Sequence, residues 1–216
     1  MPKNYDLILF DMDGTIVNSD EAIADAFVEL YDYFKPIKIR TKPELYYFSG
    51  PPIERTLQNE FPGYDLQVLL DKWHEIALRV YKDKLTIYPD QLEVLHKLKE
   101  AGYRLGVVTN KITKSSLEAI KICHLEGLFE TLICRDTVAN PKPNKEGVEL
   151  AMKNMGFNNK SRVIYVGDNT IDYNTATNAE IDCILVTWGP RKIEENLPGA
   201  RYISSFKKLE EFFINE

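Results

Sequence analysis

The sequence predicts an α/β fold in three layers, a parallel sheet with helices on both faces, carrying an all-helical insertion after its first strand. Three observations support this. Short apolar runs alternate with stretches of helical period from residue 88 onward, the order of a strand–helix–strand sheet. The runs are apolar at nearly every position instead of every second one, as strands buried on both faces are. Residues 17–87 break the rhythm, with helical spacing and no strand between.

In chain order, "YDLILF" (5–10) is the first predicted strand. The insertion follows as "EAIADAFVELYDYF" (21–34), "PIERTLQNEF" (52–61) and "LQVLLDKWHEIALRVYKDK" (66–84), its joints punctuated by Pro36, Pro43, Pro51, Pro52, Pro62 and Pro89. Further strands are expected at 103–109, 129–135, 162–167 and 181–187. Between them lie three helices: "QLEVLHKLKEAG", closing on Gly102; "SSLEAIKICH", with Thr113 ahead of it as a cap; and "KEGVELAMKNMG", closing on Gly156. The expected division is a core of residues 1–16 and 88–216 and a helical cap of residues 17–87.

A chain of 216 residues buries one substantial core plus a small accessory unit. The formal charge of −6, without a dense Lys/Arg stretch, argues against a nucleic acid polymer as partner, which needs a basic patch. Cys123, Cys134 and Cys183 are odd in number and far apart, which fits core thiols and neither a disulfide framework nor a zinc site. The N-terminal apolar run is too short for a signal peptide and no stretch is long enough for a membrane span, so a cytoplasmic protein without a membrane partner is expected. Oligomeric state is not encoded in any feature of this kind.

In an open parallel sheet, ligands bind where strands end at their carboxyl edge. The first strand runs into Asp11-Met12-Asp13-Gly14-Thr15, the second into Thr109-Asn110, the third into a loop with Lys142, and the fourth into Asp168 and Asp172. Four carboxylates in one pocket repel one another and require a cation. Oxygen donors without histidine or cysteine select magnesium. Lys142 adds positive charge, and the Thr109 hydroxyl with the backbone N–H groups around Met12 and Asn110 suits phosphate oxygens.

With these motifs the chain resembles the haloacid dehalogenase (HAD) superfamily, in its phosphatase branch with a helical cap after the first motif. Asp11-Met12-Asp13-Gly14-Thr15 matches the first motif, Thr109-Asn110 the second, Lys142-Pro143 the third and Gly167-Asp168-Asn169-Thr170-Ile171-Asp172 the fourth. The resemblance spans nearly the whole chain and implies a Rossmann-like core. It also implies an Asp11 nucleophile that forms an aspartyl phosphate, an Asp13 acid/base, phosphate held by Thr109, Asn110, Met12 and Lys142, Mg2+ held by Asp11, Asp13 (through its carbonyl) and Asp168, and Lys142 oriented by Asp172. The implied substrate is a small phosphorylated metabolite: phosphoglycolate, a sugar phosphate, a nucleotide or pyrophosphate.

Asp13 separates the chain from dehalogenases, which lack a carboxylate there. Gly167 stands where phosphomutases of the β-phosphoglucomutase type often have glutamate, so hydrolysis is favoured over that alternative. A non-catalytic phosphate-binding protein would normally have lost one of the four acids. "VTWG" (186–189) and the general layout are phosphoglycolate phosphatase-like, whereas Asn18, Lys145 and Glu180 depart from common family residues. In the insertion, "FSGPPIERTL" (48–57) reads either as a substrate-reading loop, with Gly50 at a turn and Arg55 on an anion, or as a helix start with an exposed arginine. His74, His96 and His124 are expected at the surface or core edge, and Trp188 as a brace near the site.

Overall fold

β1 (Leu7–Phe10) is buried at every position, which requires cover on both faces of its sheet. In the computed structural model, which describes residues 5–193 and 197–215, that cover is present. β1 lies at the centre of a six-stranded sheet with β2 (Arg104–Val108), β3 (Thr131–Ile133), β4 (Val163–Gly167), β5 (Asp182–Val186) and β6 (Arg201–Ile203), in the order β3-β2-β1-β4-β5-β6. Every adjacent pair is parallel. Alternation along β1 sorts the two faces. Leu7 and Leu9 pack with Val148, Ala151 and Met152 of α7 (Glu146–Asn154) and Ala176 and Ala179 of α8 (Thr170–Ala179). Ile8 and Phe10 face Val94, Leu95 and Leu98 of α5 (Gln91–Glu100), Ala119 of α6 (Thr113–Ile122) and Phe206 and Leu209 of α9 (Phe206–Glu210).

Two elements depart from expectation. β3 is shorter than 129–135, because Cys134 turns into a 3₁₀ segment whose Thr137 hydroxyl bonds back to the Cys134 N–H and carbonyl. β6 was not expected: it has three residues, two of them exposed, so it shows no buried run. Thr113 is the first residue of α6, and its N–H and hydroxyl both donate to Asp136 at 2.8 Å.

Between β1 and α5 lie α1 (Asp20–Phe34), α2 (Lys42–Leu45), α3 (Ile53–Glu60) and α4 (Leu66–Lys84). Their common core is aromatic: Phe27 sits 4.6 Å from Phe48 and 4.9 Å from Trp73, and Tyr31 is 5.6 Å from Phe61, centroid to centroid. Asp65 caps α4 by accepting from the N–H groups of Gln67 and Val68. Chain exit and return are paired: Asn18 N–H donates to Thr86 O at 2.9 Å and Thr86 N–H to Asn18 O at 3.4 Å.

Candidate active site

The first turn after β1 is built so that two carboxylates follow the sheet edge. Asp11 N–H donates to Val166 O, and the Met12 carbonyl then accepts from the N–H groups of Thr15, Ile16 and Val17. Gly14 has φ 85°, and a Cβ there would collide with the Asp168 carboxylate, so only glycine fits this turn. Asp11 and Asp13 are 2 % and 9 % exposed, and both line a cavity of about 560 Å³, part of it open to solvent.

Lys142 supplies the compensating charge. Its Nζ lies 2.7 Å from Asp11 Oδ1 and 2.7 Å from Asp172 Oδ1, and donates to the Tyr165 hydroxyl at 3.1 Å. Asp172 is fixed in turn, its Oδ2 accepting from the N–H groups of Asp168 and Asn169 at the start of α8. The side chain of Asn110 clamps the Lys142 backbone from both sides: Oδ1 accepts its N–H at 3.0 Å and Nδ2 donates to its carbonyl at 3.2 Å. Burial pushes the Asp11 carboxyl up to about 6 against the pull of Lys142. Burial likewise raises Asp168, with Arg191 opposing it. Lys142 is raised well above its ordinary value, because the charges of Asp11 and Asp172 outweigh the opposing effect of burial.

The structure therefore brings Asp11, Met12, Asp13, Thr109, Asn110, Lys142, Asp168 and Asp172 to one sheet edge, and Gly50 to the wall of the same cavity, where its carbonyl accepts from Asn110 Nδ2 at 3.0 Å. Arg55 is the exception among the expected site residues. It lies in α3, exposed, on a separate groove with Arg40, Tyr47, Asn59 and Glu60, so the helix-start reading describes Arg55, while Phe48, Ser49, Gly50, Pro51 and Ile53 of the same stretch line the cavity. Trp188 is the expected brace: its Nε1 donates to Thr15 O at 3.2 Å and its ring stacks on Phe206 at 4.3 Å.

Sequence reasoning missed four residues here. Lys111, next to Asn110, donates to both oxygens of the Asp13 carboxylate at 2.9 and 3.2 Å and to the Tyr81 hydroxyl at 3.1 Å. The strand-end rule that selected Asn110 extends to it. His74, expected at the surface or core edge, and Tyr81, both of α4, line the cavity. Burial, with the Lys114 charge, lowers the His74 pKa. Arg191, past the end of β5, is buried in the site and no motif marks it: it pairs with Asp168, and its Nη2 donates to the Asp13 carbonyl at 3.3 Å.

A divalent metal fits the donor set. Asp11, Asp168 and Asp172 offer carboxylate oxygens within 4.8 Å of one another. Asp172 is committed to Lys142 and two N–H groups, which leaves Asp11, Asp168 and the Asp13 carbonyl, all hard oxygens suited to Mg2+. Asp11 Oδ1 has no partner in hydrogen-bond geometry among the described residues, its contact with Lys142 being an ion pair only.

Known proteins resemble the chain in sequence and fold. Pyrophosphatase PpaX of Listeria monocytogenes is 29 % identical over 194 residues, 88 % of each chain. The structure of a haloacid dehalogenase-like hydrolase from Bacteroides fragilis superposes with a TM-score of 0.86 at 25 % identity, covering 95 % of this chain and all of that one. CbbY of Rhodobacter sphaeroides, solved with xylulose-1,5-bisphosphate, gives 0.80 at 22 % identity over 95 % and 96 % of the two chains, a likeness of fold. The family profile itself matches residues 8–186, from β1 with its paired aspartates to the end of β5, and so takes in every acidic and basic group just described except Arg191. With fold, order of motifs and profile in agreement, the chain belongs to the haloacid dehalogenase-like hydrolase family.

Proposed function

We propose that this hydrolase is a magnesium-dependent phosphatase of a small phosphorylated metabolite, working through an aspartyl phosphate on Asp11. The observation that carries the reading is the pairing of Asp11 with Lys142 at 2.7 Å, with Asp13 two residues on and open to the same cavity. In the first half-reaction an Asp11 oxygen bonds to phosphorus as the bond to the leaving oxygen breaks, and that oxygen takes its electron pair and a proton from Asp13. In the second, Asp13 takes a proton from water, the water oxygen bonds to phosphorus, and the Asp11–phosphorus bond breaks to release orthophosphate. Thr109 and the N–H groups beside Met12 and Asn110 hold the phosphate oxygens, and Lys142 neutralises charge beside the nucleophile. Magnesium, when bound, supplies positive charge that screens Asp11 from the phosphate, and Asp11, Asp168 and the Asp13 carbonyl would hold it.

Helices α1 to α4 form the cap over this edge, with the paired segments at Asn18 and Thr86 as its two connections to the core. The names of the relatives put pyrophosphate, and the fold likeness to CbbY puts sugar bisphosphates, on the list of substrates to try. The test is orthophosphate release from a panel of esters and anhydrides with Mg2+. Chelation is expected to abolish release, with calcium a poor replacement because of its looser coordination shell. Asp13→Asn with p-nitrophenyl phosphate is expected to accumulate a phosphate mass on the peptide containing Asp11. Label on another residue would overturn the assignment, and transfer of the phosphoryl group back to a sugar would make the protein a mutase.

A further inference from the structure

Arg191 is a buried cation of the site that the proposed reaction leaves without a task, and it reaches four groups at once. Nη2 donates to the Asp13 carbonyl at 3.3 Å and pairs with Asp168; Nη1 donates to the Ser49 carbonyl at 2.8 Å; Nε lies 3.0 Å from Asp20 Oδ1, an ion pair outside hydrogen-bond geometry. A Cβ on Gly14 would overlap Nη2, so the turn that presents Asp13 is also shaped around the guanidinium.

Two of these four acceptors, the Asp13 carbonyl and the Asp168 carboxylate, are two of the three groups that fit a divalent cation. A guanidinium and Mg2+ held on the same two groups repel each other, since both are positive and stand within a few ångströms in a buried site. The third contact lies elsewhere in the fold: Ser49 belongs to the 49–52 loop between α2 and α3, and its neighbour Gly50 forms the cavity wall. Arg191 and Asp168 also line a second groove, together with Tyr47, Asn169, Thr170, Lys192 and Ile193.

We propose that Arg191 is a tethered cation that competes with the metal for Asp168 and the Asp13 carbonyl, so that metal loading removes one of the three side-chain ties on the 49–52 loop and leaves those from Asn110 to Gly50 O and from Asn169 to Ser49 O. The inference rests on the metal dependence proposed above. It makes Arg191 a positioning residue that acts on metal affinity and cap-loop mobility, not on the phosphoryl group.

The experiment is calorimetric titration of the whole protein with MgCl2, for the unaltered chain and Arg191→Met, with amide exchange of residues 48–53 followed alongside. Loss of a charged competitor is expected to tighten Mg2+ binding about tenfold or more. Exchange over 48–53 without metal is expected to be faster in Arg191→Met than in the unaltered protein, and added Mg2+ to bring the unaltered protein to the variant's rate. Because Arg191→Met leaves Asp20 buried without its cation, the double variant Asp20→Asn, Arg191→Met provides the same reading if the single one folds poorly. Unchanged or weaker Mg2+ binding in these variants would overturn the competition and leave the metal assignment standing. No Mg2+ binding by any of the proteins would overturn both.

Discussion

At the scale of single residues, Lys111 bears most directly on what the cavity accepts. Its side chain is 7 % exposed, and its ammonium donates to Asp13, just past β1, and to Tyr81 of α4. In the proposed reaction the oxygen that leaves phosphorus approaches Asp13 to collect a proton, which brings the atoms next to it in the leaving group within reach of Lys111. A carboxylate or phosphate at that point gains a charge-assisted bond. Ile23, Phe48, Ile53 and Trp73 contribute apolar surface to the same cavity. Comparing 2-phosphoglycolate with 2-hydroxyethyl phosphate, which differ by a carboxylate against a CH2OH, should therefore show a preference for the acid of roughly 10- to 100-fold in kcat/KM. Lys111→Met should bring the ratio close to one and Lys111→Arg should keep much of it. An unchanged ratio in Lys111→Met would remove the lysine from recognition. Arg55→Ala, by contrast, should change KM less than about twofold on either ester, since Arg55 lines another groove.

At the scale of elements, the site depends on how closely β4 and α8 approach. Gly167 ends β4, and a Cβ there would overlap the side chain of Asp172, one turn into the helix. Gly167→Ala must push Asp172 off Lys142, and a displacement of about 1 Å in such a support costs on the order of 100-fold in rate. Gly147 is the control. A Cβ there meets only Val108 Cγ1 at 2.8 Å and Ile133, so Gly147→Ala should cost about 1–3 kcal/mol of stability, read as a lower Tm, while kcat on p-nitrophenyl phosphate stays within a fewfold. Equal losses of rate in the two variants would mean that general loosening, not Asp172, is responsible. This scale also shows what a sequence makes legible. Strands β1, β2, β4 and β5 were visible because burial on both faces leaves an unbroken apolar run, and the acids and Lys142 were visible because each follows such a run. β6 was hidden because an exposed three-residue edge strand has no such signature. Arg191 and Asp20 were hidden because what joins them is proximity in space across 171 residues, at the end of one element and the start of another. Arg55 misled because Gly-Pro-Pro ahead of it reads equally as a rigid loop and as a helix start.

For the molecule as a whole, the site is a concentration of buried charge that folding must carry. Asp11, Asp20, Asp168 and Asp172 are all below 8 % exposed, with Lys142 and Arg191 as their buried counter-charges. Burial raises the carboxyls of Asp11, Asp20 and Asp168, Asp11 to about 6 from an unfolded value of 3.8. A carboxyl whose pKa is raised in the folded state keeps its proton while the unfolded chain has lost it, so without metal the native state binds more protons between pH 4 and 6. Stability from this source is therefore full below the unfolded pKa and falls as pH rises through the folded one. His74, lowered by burial, works in the opposite direction over part of the same range, so comparison at each pH against a variant is the sharper measurement. Asp11→Asn, which mimics the protonated acid, should melt above the unaltered metal-free protein at pH 7.5, and the gap should close as pH falls toward 4. Adding Mg2+ should raise the Tm of the unaltered protein more at pH 7.5 than at pH 5, because the metal needs the ionised carboxylates. A Tm of Asp11→Asn at or below that of the unaltered metal-free protein at pH 7.5 would show that Lys142 outweighs burial at Asp11, and that this charge stabilises the fold on its own.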